Sequence, residues 1–185
     1  MNENLKFLKE VFESESLPEE SLPEFVFWGR SNVGKSSLIN SITKSKIAKT
    51  SKTPGRTRSL VFFEFEKKIR IIDFPGYGYS KIPKYNEFKI DRLIENYLTQ
   101  RQVLKFIFLL IDARHGIMEI DKKILDQLDK ILGSKVIIIF TKIDKLKNQG
   151  DKQNLMRNNE QINHIFDKTF FNTSIKNSND IFLLR

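Results

Sequence analysis

The pattern of apolar and polar positions along this chain alternates between strand-like runs and segments with helical spacing. Apolar runs that predict strands lie at Phe25 to Trp28, Lys105 to Asp112 and Lys135 to Phe140. Between them, apolar residues recur three and four positions apart, which is the spacing of one helix face. One such face consists of Ile90, Leu93, Ile94, Tyr97 and Leu98, and another of Ile120, Ile124, Leu128, Ile131 and Leu132. This alternation predicts a mostly parallel sheet with helices on both faces.

Shorter elements complete the predicted fold. Two short strands, Ser59 to Glu66 and Ile69 to Asp73, are predicted on either side of a turn, and Thr169 to Phe171 is predicted as the last strand. Lys35 to Thr43 and Asp151 to Ile165 are predicted as helices. The predicted architecture is a three-layer α/β/α sandwich around a mostly parallel six-stranded sheet with one antiparallel edge strand. In such a fold, ligands bind where strands end and helices begin.

Length and composition narrow the class of protein. At 185 residues the chain fits one domain, which we place at residues 24–185 after an acidic extension at residues 1–23. The absence of cysteine excludes disulfides and thiolate metal sites. No signal-peptide pattern and no apolar run of about 18 residues is present. We therefore expect a monomeric cytoplasmic protein with no membrane partner.

The net charge of +9 is unevenly distributed. The first 28 residues contain two lysines and seven glutamates, so the remainder carries +14. A body this basic is typical of a protein with a polyanionic partner, most simply nucleic acid, although a lysine-rich surface that only keeps the protein soluble explains it equally well. One acid-free segment is the most basic part of the chain, with Lys44, Lys46, Lys49, Lys52, Arg56 and Arg58.

A phosphate-binding loop is predicted between the first strand and the first helix. The motif G-x-x-x-x-G-K-S is complete here, with Gly29, Arg30, Ser31, Asn32, Val33, Gly34, Lys35 and Ser36. The glycines let backbone N–H groups turn toward phosphates, and the helix N-terminus adds partial positive charge. Lys35 would bridge the β- and γ-phosphates, and Ser36 would ligate Mg²⁺, with Ser37 beside it. The motif predicts a P-loop nucleoside triphosphatase.

A second motif predicts which base is bound. Thr141, Lys142, Ile143 and Asp144 follow a predicted buried strand. A carboxylate at Asp144 can accept hydrogen bonds from guanine N1 and N2, a donor pair that adenine lacks, and the stem of Lys142 can cover the base. Further along, a loop could support the base through backbone N–H groups. Its candidate residues are Phe171, Asn172, Thr173 and Ser174, with the register open by one residue.

A third motif is predicted to sense the γ-phosphate. In the sequence Asp73-Phe74-Pro75-Gly76, Asp73 would hold Mg²⁺ through a water molecule, and the Gly76 N–H would contact the γ-phosphate. A switch loop between the phosphate loop and this motif, just before the predicted strand Ser59 to Glu66, would add a threonine ligand to Mg²⁺. Thr57 is the first candidate and Thr53 the second. The neighbouring candidates for nucleotide contact are Gly55, Arg56, Arg58 and Ser59.

Together these motifs give the chain a resemblance to the EngB family of bacterial GTPases, within the Era-like group. The resemblance runs from about Leu17 to Ser178. Its most specific parts are Leu22-Pro23-Glu24, Gly29 to Asn40, Thr53 to Thr57, Asp73 to Tyr79 and Asp112-Ala113-Arg114-His115. The sequence departs from the family pattern near its end, where Asn172-Thr173 and Ser178 replace a Ser-Ser pair and a later glycine. The terminal helix, Asp180 to Arg185, is also short.

The resemblance implies a GTP-hydrolysing switch that takes part in assembly of the large ribosomal subunit, with a link to cell division and septation. We expect the segment from Lys44 to Arg58 to contact ribosomal RNA phosphates when GTP orders it. The alternative is a solvated loop. Two other functions remain open. One is a division-machinery protein regulated by GTP, and the other is a small-molecule kinase, although the latter gives no reason for the motif ending at Asp144.

The expected rate of hydrolysis is low. Many GTPases have a glutamine that positions water at the place of Tyr77, and a phenol cannot orient water in the same way. Related GTPases imply that Asn32 coordinates K⁺ beside the phosphates in place of an arginine finger. The alternative is that Asn32 has no catalytic role. Asp112 to His115 is interpreted first as a local ion pair, and second as a partner surface.

Overall fold

The computed structural model of the chain describes residues 5–48, 59–78 and 84–184. One sheet has the strand order β1-β3-β4-β2-β5-β6-β7. The strands are β1 (Leu5–Val11), β2 (Glu24–Gly29), β3 (Leu60–Phe65), β4 (Ile69–Asp73), β5 (Leu104–Asp112), β6 (Val136–Thr141) and β7 (Phe170–Asn172). The α-helices of the described ranges are α1 (Lys35–Thr43), α2 (Lys84–Gln100), α3 (Glu119–Leu132), α4 (Gln149–Gln161) and α5 (Ser178–Leu183).

The centre of the sheet is parallel. Strand β2 pairs with β4 on one side and β5 on the other, β6 pairs with β5, and β7 pairs with β6, all in parallel register. Because parallel neighbours run in the same direction, their carboxyl ends meet at one edge of the sheet. That edge receives the polar residues that follow each strand, and it is where we predicted the ligand.

Both faces of the sheet are covered, as the apolar runs predicted. Side chains alternate along each strand, so that Val26 and Trp28 of β2 join one core and Phe27 joins the other. Helices α2, α3 and α4 pack on the first face through Leu93, Leu125 and Leu155. Helices α1 and α5 pack on the second face; their core residues are Leu38, Ile39, Ile42 and Ile181. The three-layer α/β/α sandwich is therefore confirmed.

The sheet has one strand more than the six predicted. The additional strand, β1, lies within the acidic segment that we interpreted as a lead-in, and it pairs antiparallel with β3. Its two end residues, Leu5 and Val11, are fully buried, whereas the residues between them are exposed. The predicted antiparallel edge is confirmed, because the edge strand β1 pairs antiparallel with β3, which in turn pairs antiparallel with β4. A segment in which only two residues are buried has too weak an apolar pattern to predict a strand from sequence. The boundary between an extension and a domain at residue 23 stays a prediction.

The predicted helices are confirmed with small differences. On α3 the buried residues include Leu125, and Ile131, predicted on the apolar face, is 42% exposed. Helix α4 ends at Gln161, and a π-helical turn from Ile162 to Phe166 follows it directly. Within the described ranges, no helix combines the length and apolarity that crossing a bilayer requires.

A buried ionic cluster lies at the opposite, amino edge of the sheet. Glu24 at the start of β2 is fully buried and accepts hydrogen bonds from Arg101 (2.7 and 2.8 Å) and from the Tyr97 hydroxyl (2.7 Å). Arg70 of β4 completes the cluster at 3.3 Å. Burial, followed by the charge of Glu24, raises the pKa of the Tyr97 phenol, so it remains a donor.

The same arginines fix the chain that leads into β2. The Nη2 atom of Arg101 donates to the Pro18 carbonyl at 2.7 Å, and Nη2 of Arg70 donates to the Ser21 hydroxyl at 2.9 Å. The Glu20 carboxylate accepts from two backbone N–H groups just before β5. Residues 18–21 are thus attached to the body by the two arginines that Glu24 binds and by the Glu20 carboxylate.

Substitution Glu24→Gln should strongly destabilise the protein. It removes the buried counter-charge of two guanidinium groups and leaves Arg101 only the Glu20 carboxylate, at 3.7 Å. Breaking a buried ion pair costs about 3–5 kcal/mol. Urea unfolding followed by circular dichroism measures the change. The matched control is Glu119→Gln, whose side chain is 80% exposed and pairs with Lys122. The control should unfold like the unaltered protein, and an equal midpoint for Glu24→Gln would contradict the assigned role.

Candidate nucleotide-binding site

The predicted phosphate loop begins at Gly29, the last residue of β2, where the neighbouring strand β5 leaves no room for a side chain. A Cβ atom on Gly29 would lie 2.7 Å from the Leu110 carbonyl oxygen, so only glycine fits there. The loop ends at Gly34, which precedes helix α1 with a φ of +108°. The helix begins at Lys35, so its free N–H groups point into the edge where the strands end, which is an arrangement that binds anions.

Three predicted residues meet at this edge. The Lys35 ammonium lies 2.5 Å from one carboxylate oxygen of Asp73, and the Ser36 hydroxyl donates to the other at 3.2 Å. The side chains of Lys35 and Asp73 are only about one-tenth exposed. The residues predicted to hold phosphate and metal are therefore adjacent in space, although 37 positions separate Ser36 from Asp73 in the chain.

The segment after Asp73 is docked on the phosphate loop. The Ser31 N–H donates to the Tyr77 carbonyl (3.2 Å), and the Tyr77 N–H donates to the Gly29 carbonyl (3.3 Å). A Cβ atom on Gly76 would lie 2.9 Å from the backbone of Ser31. The indole of Trp28 donates to the Pro75 carbonyl at 3.0 Å. These contacts fix Gly76 directly against the loop that is predicted to hold the phosphates.

Two of the residues proposed for nucleotide contact lie in the core. Phe74 is fully buried between Trp28 and Tyr97, and the Val33 side chain is 2% exposed. Only the backbone of either residue can face a ligand. The Val33 carbonyl accepts a hydrogen bond from the Thr141 hydroxyl at 2.7 Å, which ties the phosphate loop to the end of β6.

Lys142 extends from the end of β6 across to the phosphate loop. Its ammonium donates to the Asn32 carbonyl (2.6 Å) and to Asp112 (2.7 Å). Asn32 and Lys142 both have a φ near +60°, a conformation that asparagine tolerates better than most residues. The backbone thus gives one reason for an asparagine at position 32.

The predicted base-reading carboxylate has two partners. Asp144 accepts a hydrogen bond from the Ser174 hydroxyl at 2.9 Å and pairs with the Lys176 ammonium at 3.1 Å. Burial pushes the pKa of Asp144 upward, but the hydrogen bonds from Lys176 and Ser174 outweigh it and leave the pKa below its ordinary value. The lowered pKa keeps Asp144 ionised near neutral pH. Its side chain is one-fifth exposed and so is accessible to a ligand.

Among the candidate residues of this loop, the structure places Ser174 in contact with the base-reading carboxylate of Asp144. Thr173 instead bonds to the Phe140 carbonyl through its N–H (2.7 Å) and hydroxyl (3.1 Å), and its own carbonyl accepts the Ile143 N–H. Asn172, at the end of β7, has a buried amide oxygen to which no described residue donates a hydrogen bond. Sequence reasoning missed Lys176, because an exposed lysine in a loop carries no signal of its target.

Asp112 forms the local ion pair expected of its motif. The Arg114 guanidinium contacts the carboxylate with two nitrogens, at 2.6 and 2.9 Å. Burial alone would raise the pKa of Asp112, but hydrogen bonds from Arg114 and Lys142 hold it well below its usual range. The predicted switch residues Thr53, Gly55, Arg56, Thr57 and Arg58 lie outside the described residues, and Ser59 is buried just before β3.

Substitution Gly76→Ala should weaken the contact between the segment that follows Asp73 and the phosphate loop. The added methyl group would overlap the Ser31 backbone, and overpacking of this kind costs about 1–3 kcal/mol. Trp28 is the chain's only tryptophan and bonds to Pro75, so its emission should shift.

Gly133→Ala is the control for this substitution. Unlike Gly76, Gly133 has a positive φ, so an alanine there strains the backbone, but an added Cβ meets nothing within 4 Å. The control should therefore leave the Trp28 emission unchanged. Identical emission spectra for Gly76→Ala and the unaltered protein would refute the described docking.

Comparison with other proteins agrees with this geometry. The family described as 50S ribosome-binding GTPase matches residues 24–142. The chain is 48% identical over 155 residues to a probable GTP-binding protein EngB of Mycoplasmopsis synoviae, covering 84% of this chain and 80% of that protein. It is also 48% identical over 147 residues to the probable EngB protein of Metamycoplasma arthritidis, with 80% and 79% covered. A crystal structure of a probable GTP-binding protein EngB superposes with a TM-score of 0.64 at 27% identity, covering 87% of this chain and 93% of that one. The chain belongs to the EngB family of P-loop GTPases.

Proposed function

We propose that this protein binds GTP with Mg²⁺, hydrolyses it slowly, and acts as a nucleotide switch in assembly of the large ribosomal subunit. The observation that carries the proposal is the meeting of two kinds of group at one sheet edge. One is an anion-binding loop whose Lys35 and Ser36 contact Asp73, and the other is the ionised Asp144. Family membership supports the reading of this pair as a phosphate site and a guanine site.

The residues at the phosphate site fit a magnesium ion. Mg²⁺ prefers oxygen ligands, and the Ser36 hydroxyl and Asp73 carboxylate are oxygen donors only 3.2 Å apart. Thr57 is proposed as a further ligand. When bound, the ion neutralises charge on the β- and γ-phosphate oxygens. Lys35 would turn from Asp73 to the phosphates, and Gly76 lies where its N–H could face the γ-phosphate.

The contacts of Tyr77 support slow turnover. Its hydroxyl donates to Asp121 on α3 at 2.8 Å, so it is directed to a carboxylate and is not free to position a water molecule. Burial, followed by the charge of Asp121, raises the pKa of the phenol well above its ordinary value, which excludes it as a base near neutral pH. Coordination of K⁺ by the exposed Asn32 stays a proposal, because the positive φ gives another reason for asparagine there.

Substitution Asp144→Asn should change the preferred base from guanine to xanthine. Asparagine keeps the size of the side chain but offers a donor where guanine presents N1–H and N2–H. Loss of two hydrogen bonds to a charged group should weaken GTP binding about a hundredfold. Xanthosine triphosphate should then bind better than GTP. Equilibrium titration with fluorescent GTP, ATP and xanthosine triphosphate analogues measures the three affinities.

The control for this substitution is Asp126→Asn, an equivalent change on an exposed position of α3. It should bind GTP as the unaltered protein does. Equal affinity of the unaltered protein for GTP and ATP would refute guanine recognition, and it would favour the small-molecule kinase.

The proposed partner is ribosomal RNA within precursors of the large subunit, in a cytoplasmic setting. Support comes from the family description, from the net charge of +9 and from the basic segment Lys44 to Arg58. Of that segment, Lys44 and Lys46 are described, and both are exposed directly after α1. Because α1 starts at the phosphate loop and ends at Thr43, Lys44 and Lys46 lie about 14 Å of helix away from that loop. A link to division and septation is part of the same proposal.

Association with large-subunit precursors should require a non-hydrolysable GTP analogue and weaken as salt rises, because phosphate contacts release counterions. Substitution Lys46→Glu should weaken binding about threefold or more at low salt. Lys130→Glu, an equal charge change on exposed α3, should not. Co-sedimentation through sucrose measures both. Association that is independent of nucleotide and salt would contradict the proposal, and capture of septal proteins instead would favour the division-machinery alternative.

A further inference from the structure

A buried carboxylate on α3 connects the two loops that carry the proposed phosphate chemistry. Asp121 is fully buried, accepts two hydrogen bonds and forms one ion pair, and its three partners lie in different parts of the chain. The Tyr77 hydroxyl lies 2.8 Å from Oδ1, the Arg30 Nε atom lies 3.2 Å from the same oxygen, and the Met118 N–H donates to Oδ2 at 2.8 Å. A buried charge is costly unless such donors surround it, so this carboxylate needs all three contacts.

The two side-chain partners of Asp121 belong to segments that also touch each other through their backbones. Arg30 and Tyr77 form an isolated parallel bridge, in which the Tyr77 N–H and carbonyl bond to Gly29 and Ser31. Arg30 is further held by the Gly116 carbonyl at 3.0 Å. Asp121 therefore lies on the core side of the bridge and contacts both of its residues, Arg30 and Tyr77, directly.

The position of Tyr77 makes this arrangement functionally important. It directly follows Gly76, whose backbone lies against Ser31 of the phosphate loop. A tyrosine held by its hydroxyl at one end and by its backbone at the other has little freedom, so Gly76 is held as well. The phenol remains protonated because burial and the charge of Asp121 raise its pKa.

We propose that Asp121 is a positioning residue for GTP hydrolysis: through Tyr77 and Arg30 it holds the segment Asp73–Gly78 on the phosphate loop, so that Gly76 meets the γ-phosphate. Asp121 acts through these two residues and does not touch the nucleotide. The inference rests on the proposed function, because it assigns a role within the same hydrolysis reaction. It differs from the usual arrangement in which the side chain after this glycine orients water.

Substitution Tyr77→Phe removes one hydroxyl and should lower kcat for GTP hydrolysis about tenfold, the effect of losing one transition-state contact of about 1.4 kcal/mol. KM for GTP and the affinity for GDP should change less than twofold, because Lys35 and Asp144 still bind the nucleotide. Asp121→Asn should give the same split. The double variant should be no slower than the slower single variant, since both changes break one connection.

The structure offers a closely matched control in Tyr97→Phe. Tyr97 is also a buried tyrosine whose hydroxyl donates to a fully buried carboxylate, Glu24, at 2.7 Å. That pair lies at the opposite edge of the sheet. Tyr97→Phe should lower the melting temperature by a similar amount and leave kcat unchanged. A loss of kcat that merely follows stability would affect both variants equally and would overturn the proposal.

Trp28 supplies a readout that is independent of turnover. Its ring packs edge-on against Tyr77, with centroids 5.5 Å apart, and its indole bonds to Pro75. In the unaltered protein, exchange of GDP for a non-hydrolysable GTP analogue should change the emission of this single tryptophan. The change should be lost in Tyr77→Phe and Asp121→Asn and kept in Tyr97→Phe.

The outcomes separate the two proposals. An unaltered protein that neither binds nor hydrolyses GTP would refute the proposed function itself. An active protein whose kcat and Trp28 signal are unchanged by both Tyr77→Phe and Asp121→Asn would overturn only the role of Asp121. Should Asp121→Asn fail to fold, Tyr77→Phe alone decides, because it removes a single oxygen and leaves the Arg30–Asp121 ion pair in place.

Discussion

Burial of the central parallel strands on both faces constrains everything else in this molecule. Residues such as Val26, Leu109 and Ile138 pack on one face, while Phe27, Leu110 and Ile139 pack on the other. Because both faces of these strands are covered by apolar side chains, polar side chains cannot reach water from them, and charged groups are confined to the strand ends. The carboxyl ends lie at one edge, which is why groups far apart in the chain share one site.

A buried carboxylate near each edge of the sheet is surrounded by hydrogen-bond donors and positive charge, and the two clusters have different consequences. At the amino edge, Glu24 gathers two arginines and a tyrosine and so fixes the chain that enters β2. Near the carboxyl edge, Asp121 gathers an arginine, a tyrosine and a backbone N–H. The first cluster joins segments that need only stay in place. The second joins the two segments that would have to respond to a γ-phosphate.

The tyrosine after Gly76 thus has a different use from a water-positioning glutamine. Its hydroxyl is committed to the core, and its backbone is committed to the phosphate loop. A site built this way can hold a triphosphate firmly while supplying little direct help to the attacking water. That combination suits a switch whose active state should last until a partner is engaged, as we propose for the assembly of the large ribosomal subunit.

Sequence alone was sufficient for the fold class, and it marked most of the residues that meet at the candidate site. The motif from Gly29 to Ser36, the aspartates Asp73 and Asp144 and the periodic apolar runs are local patterns, and each is tied to its chemistry by residue type and spacing. Their meeting at one edge followed from the parallel topology, which the alternation of strands and helices predicts. Strand β1 was missed because only two of its residues, Leu5 and Val11, are buried, and they become buried only when β1 pairs with β3.

Only the tertiary structure decided which single residues contact each other across long separations. Ser174, and not Asn172 or Thr173, reaches Asp144; Lys176 joins it; and Asp121 joins Arg30 to Tyr77. None of these pairs is marked by spacing, because a side-chain contact between remote elements depends on helix position and loop path to within about an ångström. Periodicity specifies which face of an element is buried, whereas the partner of a polar side chain is fixed only when the elements have packed.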